Sequence, residues 1–227
     1  MKVFQEQQVL CPLCLSPSAR SFSINAVFKR EYFRCAGCAL VFVPRKFHLS
    51  VQEQKGRYDL HRNDPGDQAY CQFLSKLITP LLGHLKPGAE GLDFGCGPGP
   101  AIAGILEKEG MRVQNYDPFY FPSQELLEKR YDFITCTEVI EHFDDPRRDF
   151  MKLKGLLKGE GSILAVMTEV WREDKEFANW WYQNDPCHVS FYSESTLHWI
   201  SQWLGLELHR PHRNVAFFKS ASSNCCS

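Results

Sequence analysis

The sequence predicts an α/β fold, a doubly wound and mostly parallel sheet preceded by a small four-cysteine module. From residue 67 onward, short apolar runs of strand length alternate with segments of helical period, the pattern of a sheet covered on both faces. Within that alternation, Asp93-Phe94-Gly95-Cys96-Gly97-Pro98-Gly99 sits where a strand hands over to a helix. Cys11, Cys14, Cys35 and Cys38 form two C-x-x-C pairs ahead of it. With 227 residues, 44% of them apolar, the chain can bury one substantial core with a few tens of residues left over. The expected division is a cysteine module over 1–44, a linker or cover segment over 45–66, the α/β domain over 67–220 and a disordered tail over 221–227.

In the module, each C-x-x-C pair places two thiolates on a tight turn, the second eased by Gly37, and the 20 residues between the pairs are enough for a hairpin that brings the turns together. That arrangement is expected to hold a tetrahedral zinc ion. Because all four positions are cysteine, no coordination site is left for an activated water, so the metal is expected to be structural. Residues 39–43 read as a strand stopped by Pro44. Residues 45–66 are polar and lack apolar periodicity, and they end on the turn signal Asn63-Asp64-Pro65-Gly66.

The first long helix is expected from the apolar spacing of Tyr70, Phe73, Leu74, Leu77, Ile78, Leu81, Leu82 and Leu85, bent at Pro80 and ended by Pro87-Gly88. Strands follow at 91–94, 112–116, 131–137 and 162–168. Helices are expected at 101–108, 147–157 and 195–204, and a hairpin of 206–209 with 215–218 closes the sheet.

Composition narrows the class of protein. The N-terminal MKVFQEQQVL lacks the apolar core of a signal peptide, and no apolar run approaches the roughly 20 residues of a membrane span, so a cytoplasmic protein away from membranes is expected. Ten cysteines then read as metal ligands and buried thiols rather than disulfides, with Cys71, Cys96, Cys136 and Cys187 as small apolar groups and Cys225-Cys226 a weak hint of metal or redox chemistry. Net charge is −1, but residues 1–62 carry ten Lys or Arg against four acids. That basic segment reads either as a surface for an anionic partner or as a solvated face.

The glycine turn allows close backbone approach by a polar ligand, and Asp117, at the end of the next strand, stands where an acid reaches both hydroxyls of a bound ribose. Glycines at alternate positions differ from the G-x-G-x-x-G of nicotinamide dinucleotide sites. The run resembles class I methyltransferases that bind S-adenosylmethionine, whose strand turn is Leu-Asp-x-Gly-x-Gly-x-Gly. Asp117 is similar to that family's ribose acid, and residues 131–142, Tyr-Asp-Phe-Ile-Thr-Cys-Thr-Glu-Val-Ile-Glu-His, resemble its fourth strand and following loop. The resemblance spans about residues 67–220. It implies cofactor contacts from Asp93, Gly95, Cys96, Gly97, Gly99, Asp117, Pro118, Phe119, Thr137 and Glu138, with Tyr58 or His61 reaching the methionine carboxylate. One departure stands out: 13 residues between Asp117 and Tyr131 are too few for the family's helix, strand and helix, so the third strand is expected to be missing and residues 123–130 to form one short helix.

For the methyl acceptor, the loop after the strand at 162–168 opens at the carboxyl edge of the sheet and carries His188 among aromatic residues. His188 is the candidate base, with bracing of the loop as the competing role. His142 either faces the acceptor or contacts the next helix. The aromatic cluster is either acceptor pocket or core. The leading reading is methyl transfer to a small-molecule metabolite. Methylation of RNA held by the basic zinc module is a second reading, since zinc ribbons precede methyltransferases of both kinds, and a non-catalytic cofactor-binding scaffold is a third. The sequence sets neither the acceptor atom nor the oligomeric state.

Overall fold

A computed structural model describes residues 9–25, 27–60, 66–172, 175 and 177–221. Apart from Gly66 and Ala221, the turn expected at 63–66 and the tail expected at 221–227 lie outside these residues. The first cysteine turn leads into β1 (Ala19–Asn25), which forms an antiparallel hairpin with β2 (Arg30–Cys35), as the spacing requires. After the second cysteine turn, β3 (Val41–Phe42) pairs antiparallel with β2.

The segment expected to be a linker or cover contains a helix, α1 (Val51–Tyr58). The Ser50 side chain accepts from the Glu53 backbone N–H while the Glu53 carboxylate accepts from the Ser50 N–H, a complete capping box. None of its residues is buried, so it has no apolar period to betray it. The next helix, α2 (Gln68–Leu82), starts on Asp67, whose carboxylate accepts from the Ala69 and Tyr70 N–H groups. It buries Leu74, Leu77, Ile78 and Leu81, runs through Pro80 and stops at Gly83, short of the expected Leu85. Leu85 still packs on the same core because hydrogen-bonded turns at His84 and Leu85 carry the chain on past the helix.

The main domain continues with β4 (Glu90–Phe94), α3 (Ile102–Lys108), β5 (Arg112–Tyr116), β6 (Phe133–Thr137), α4 (Pro146–Gly155) and β7 (Ile163–Met167). A short β8 (Ser190–Phe191), α5 (Glu194–Leu204), β9 (Glu207–His212) and β10 (Val215–Lys219) complete it. Six strands form one sheet in the order β5-β4-β6-β7-β10-β9, parallel except for β10, which lies antiparallel between β7 and β9. Alternate residues of each strand feed opposite faces. Ile134, Leu164 and Phe218 pack with Phe150 and Leu153 of α4 and Ile200 of α5, while Phe133, Ile163 and Phe217 pack with Leu74 and Leu77 of α2 and Leu106 of α3.

The third strand is missing, as expected: β5 is the edge strand, and residues 117–132, between β5 and β6 in the sequence, form no strand of the sheet. The short helix expected over 123–130 is only one 3-10 turn, Glu125–Leu127. Leu126 is the one buried residue between 121 and 130, and a single turn suffices to bury it.

The loop after β7 carries a strand that the sequence did not predict, and the structure settles its aromatic residues mostly as core rather than acceptor pocket. It supplies β8, which pairs antiparallel with β3 (Val41 opposite Phe191, Phe42 opposite Ser190), so the cysteine module's sheet takes its fourth strand from the far end of the chain. The aromatic residues of this loop are mostly core. Trp171, Phe177, Tyr182 and Phe191 are buried with Tyr32, Val41 and Val43 in a cluster that joins module to domain.

Gly91 marks a close approach inside the sheet. It lies opposite Phe133, and a Cβ there would stand 2.2 Å from the Phe133 ring. Phe133 is fully buried and cannot swing into solvent. Gly91→Ala is therefore expected to cost about 1–3 kcal/mol by overpacking, a fall of roughly 3–10 °C in a thermal melt. An unchanged Tm would contradict this packing.

Candidate active site

Strand order reverses between β4 and β6, and in open α/β sheets ligands bind outside the carboxyl ends at such a point. The glycine turn begins at the end of β4. Gly95 has φ +78°, and a Cβ on it would lie 2.5 Å from Val139 Cγ2, so only glycine lets the turn approach the loop after β6. The Gly95 and Cys96 N–H groups donate to the Tyr116 carbonyl at 2.7 and 3.2 Å, tying the turn to β5.

Asp117, buried at the end of β5, brackets this turn. Its Oδ2 accepts from the Gly97 N–H at 3.1 Å and its Oδ1 from the Phe119 and Tyr120 N–H groups at 2.8 and 3.1 Å. Below it, Asp93 accepts from Thr135 Oγ1 at 2.7 Å, and burial pushes its carboxyl up to about 7. Cys96 is buried and its thiol is pushed well up by that burial; Gly99 is half-buried at the end of the turn, and Pro118 is exposed in the facing loop. The buried oxygens Thr137 Oγ1 and Asn115 Oδ1, on strands flanking β4, have no hydrogen-bond partner among the described residues. Unpartnered buried oxygens beside a glycine turn are what a polar ligand would satisfy.

A line of rings runs from this loop to the other side of the crevice. Phe119 lies 5.8 Å from Tyr58, Tyr58 lies 5.3 Å from His142, and His142 lies 4.9 Å from His188, measured between ring centroids. Tyr58 is thus on the last turn of α1, which is tied to both walls: Asp59 accepts from Tyr120 Oη at 2.6 Å, and Arg57 pairs with Asp185 at 3.5 Å. His61 lies outside the described residues.

Both histidines have one ring nitrogen tied to backbone. His142 Nδ1 is 3.1 Å from the Cys187 carbonyl and His188 Nδ1 is 2.8 Å from the Tyr182 carbonyl. Carbonyls only accept, so each Nδ1 carries a hydrogen and each neutral ring keeps its lone pair on Nε2. Burial holds the His188 imidazole below its ordinary value. Beside them Glu141, fully buried, accepts from Tyr182 Oη at 2.5 Å and Thr168 Oγ1 at 2.9 Å. The Glu138 carboxyl lies 3.1 Å from Tyr182 Oη, and burial together with the charge of Glu141 pushes it up to about 9. Glu138 sits at φ +53°, a left-handed conformation that costs a non-glycine residue energy. Sequence reasoning missed Glu141, Thr168 and Tyr182. Glu141 was within reach, being adjacent to His142 in the same motif, whereas Tyr182 reads as one more aromatic in a cluster.

The four cysteines come together away from this crevice. Cys11 and Cys38 Sγ are 3.5 Å apart, Cys14 and Cys35 Sγ 3.4 Å, and all four lie within 4.8 Å of one another. Tetrahedral zinc with bonds of about 2.3 Å spaces its sulfurs about 3.8 Å apart, so the set fits a structural zinc ion. The module grips the His188 loop directly. Arg30, buried on β2, donates to the Asp185 and His188 carbonyls at 3.1 and 2.5 Å, Val43 N–H donates to the Val189 carbonyl at 2.9 Å, and Tyr32 Oη donates to the Gln183 carbonyl at 3.1 Å.

A family model described as a methyltransferase domain matches residues 63–210. The chain belongs to the methyltransferase-domain family. A curated relative, a ubiquinone biosynthesis O-methyltransferase of Acinetobacter baumannii, is 32% identical over 81 residues, 34% of this chain and 34% of the relative. This chain thus matches about a third of that relative's length. Among solved structures, an O-methyltransferase family protein from Burkholderia thailandensis shares the fold with a TM-score of 0.51 and 13% identity, covering 75% of this chain and 64% of that one. No helix among the described residues is long and apolar enough to cross a membrane.

Proposed function

We propose that this protein methylates a small molecule bound between the glycine turn and the His142–His188 pair. The observation that carries this reading is the pair of backbone-anchored imidazoles with Nε2 lone pairs left over, joined to the Asp117 loop by the rings of Tyr58 and Phe119. Asp117 would hold the ribose hydroxyls, the Gly95–Gly99 backbone would pass the methionine part, and Thr137 Oγ1 and Asn115 Oδ1 would find partners on the cofactor. S-adenosylmethionine supplies an activated methyl group on sulfur, so the chain's own work is alignment, exclusion of water and proton removal. Tyr58 covers the crevice, and His188, kept neutral by burial, orients the acceptor and takes its proton at Nε2.

The RNA alternative draws less support because six of the eight basic residues described in the N-terminal segment are engaged within the protein, Arg20 and Lys29 being the exposed exceptions. Arg30 is bound to carbonyls, Arg34 lies over the Phe22 and Trp171 rings, and Arg45, Lys46, Lys55 and Arg57 pair with Asp144, Glu31, Asp59 and Asp185. A phosphate backbone needs such cations uncommitted.

Incubating the protein with methyl-labelled cofactor and fractionated cell extract should place the label in the small-molecule fraction. Label confined to RNA would overturn the reading. For the ribose contact, Asp117→Ala should weaken cofactor binding by about 1.5–3 kcal/mol, the range of hydrogen bonds to a charged group. Calorimetry finding equal affinity would remove Asp117 from the site.

A further inference from the structure

The geometry points to a second metal site, separate from the four cysteines, in which Glu141, His142 and His188 bind a divalent transition-metal ion. A carboxylate oxygen of Glu141 and one ring nitrogen from each histidine all lie within 4.8 Å of one another. Metal-bound nitrogens and oxygens at about 2.0–2.2 Å sit roughly 3–3.5 Å apart, so small ring rotations close the set.

Two further observations indicate a cation rather than a chance cluster. First, the hydrogen bonds from both Nδ1 atoms to backbone carbonyls fix the tautomer that presents Nε2 as a ligand, the outer-shell arrangement typical of metal-binding histidines. Neither Nε2 has a hydrogen bond among the described residues. Second, Glu141 is completely buried among the hydroxyls of Tyr182 and Thr168 and the Glu138 carboxyl, and no Lys or Arg of the described residues forms an ion pair with it. Burying a carboxylate next to two imidazole lone pairs is expensive without positive charge among them, and a metal ion supplies it. Tyr182 and Thr168 hold the carboxylate in place while leaving it a lone pair for a cation.

Two imidazoles and one carboxylate suit a first-row transition metal and leave coordination positions open. This deepens the acceptor reading above and rests on it in one respect: the open positions would take an oxygen of the methyl acceptor, which makes the substrate a phenol, enol or other hydroxyl compound able to ligate a cation. With Nε2 of His188 on the metal, coordination replaces that lone pair in the proton-removing role given to it above: it lowers the hydroxyl's pKa and the proton leaves to solvent. The oxygen lone pair then forms the C–O bond as the C–S bond of the donor breaks, with that bond's electrons passing to sulfur. Metal binding itself does not depend on the acceptor.

The test uses the full chain with its cysteine-bound zinc retained and Mn²⁺ as the probe. Electron paramagnetic resonance of free Mn²⁺ should show one bound ion per chain. Glu141→Gln, which keeps both hydroxyl partners, and His142→Gln should each weaken that site at least tenfold with unchanged zinc content and far-UV circular dichroism. Failure of the wild-type protein to bind Mn²⁺ more tightly than these variants would overturn the site, even if labelled methyl transfer proceeds normally. Mn²⁺ bound as expected in a protein that labels no small molecule would support the metal site and count against the acceptor reading instead.

Discussion

Stripping zinc from Cys11, Cys14, Cys35 and Cys38 should abolish most methyl transfer while leaving cofactor affinity nearly unchanged. Metal binding and folding are one equilibrium in a module this small, so loss of zinc unfolds the hairpin of β1 and β2 first. That hairpin carries Arg30 and Tyr32, and its neighbour β3 carries the partner of β8, so four separate holds on residues 183–191 go with it. Among the described residues, Asp117 and the glycine turn make no hydrogen bond to the module, and they should keep their geometry. Turnover is expected to fall on the order of 100-fold, the scale set by loss of a positioned acid–base group, and re-addition of zinc should restore it. The measurement is thiol-reagent titration of zinc release alongside turnover and calorimetry with S-adenosylmethionine. Full activity after complete zinc release would show that the module does not position the loop.

The second large effect is at His188. Asparagine there keeps a side-chain N–H able to reach the Tyr182 carbonyl, so the brace survives while the Nε2 lone pair is lost. His188→Asn should lower turnover by about 100-fold or more with cofactor affinity nearly the same. If bracing were its whole contribution, the substitution would lower Tm and leave the activity of the folded protein intact. Turnover and thermal melts on the same preparation separate the two.

The parts of this molecule that were readable in its sequence are those governed by local chemistry. The glycine turn, the acid at the end of β5, the C-x-x-C pairs and the apolar strands each carry their own signal within a few residues. The shortened stretch from Pro118 to Arg130 was readable because chain length limits what it can build, although Leu126 needed only one turn rather than a helix. Helix α1 escaped because it buries nothing, yet Ser50-x-x-Glu53 was a usable capping signal. The pairing of β3 with β8 joins residues about 150 apart, and a two-residue strand has no periodicity to detect. Arg30 escaped for a related reason: an arginine in a basic segment reads as surface, and only the fold turns it inward onto the His188 loop. The same long-range pairing explains why the aromatic residues at 171–191 became the seam between module and domain.

The most direct test of this account is a crystal structure of the protein with S-adenosylhomocysteine. The account predicts the ribose hydroxyls on the Asp117 carboxylate and the sulfur directed at the crevice between Tyr58, His142 and His188. A second cavity, of about 870 Å³ and lined by Glu169, Trp171, Arg172, Trp180, Arg210 and Arg213, lies beyond the end of β7. Finding the cofactor there, with Asp117 holding only the backbone of Gly97, Phe119 and Tyr120, would contradict it.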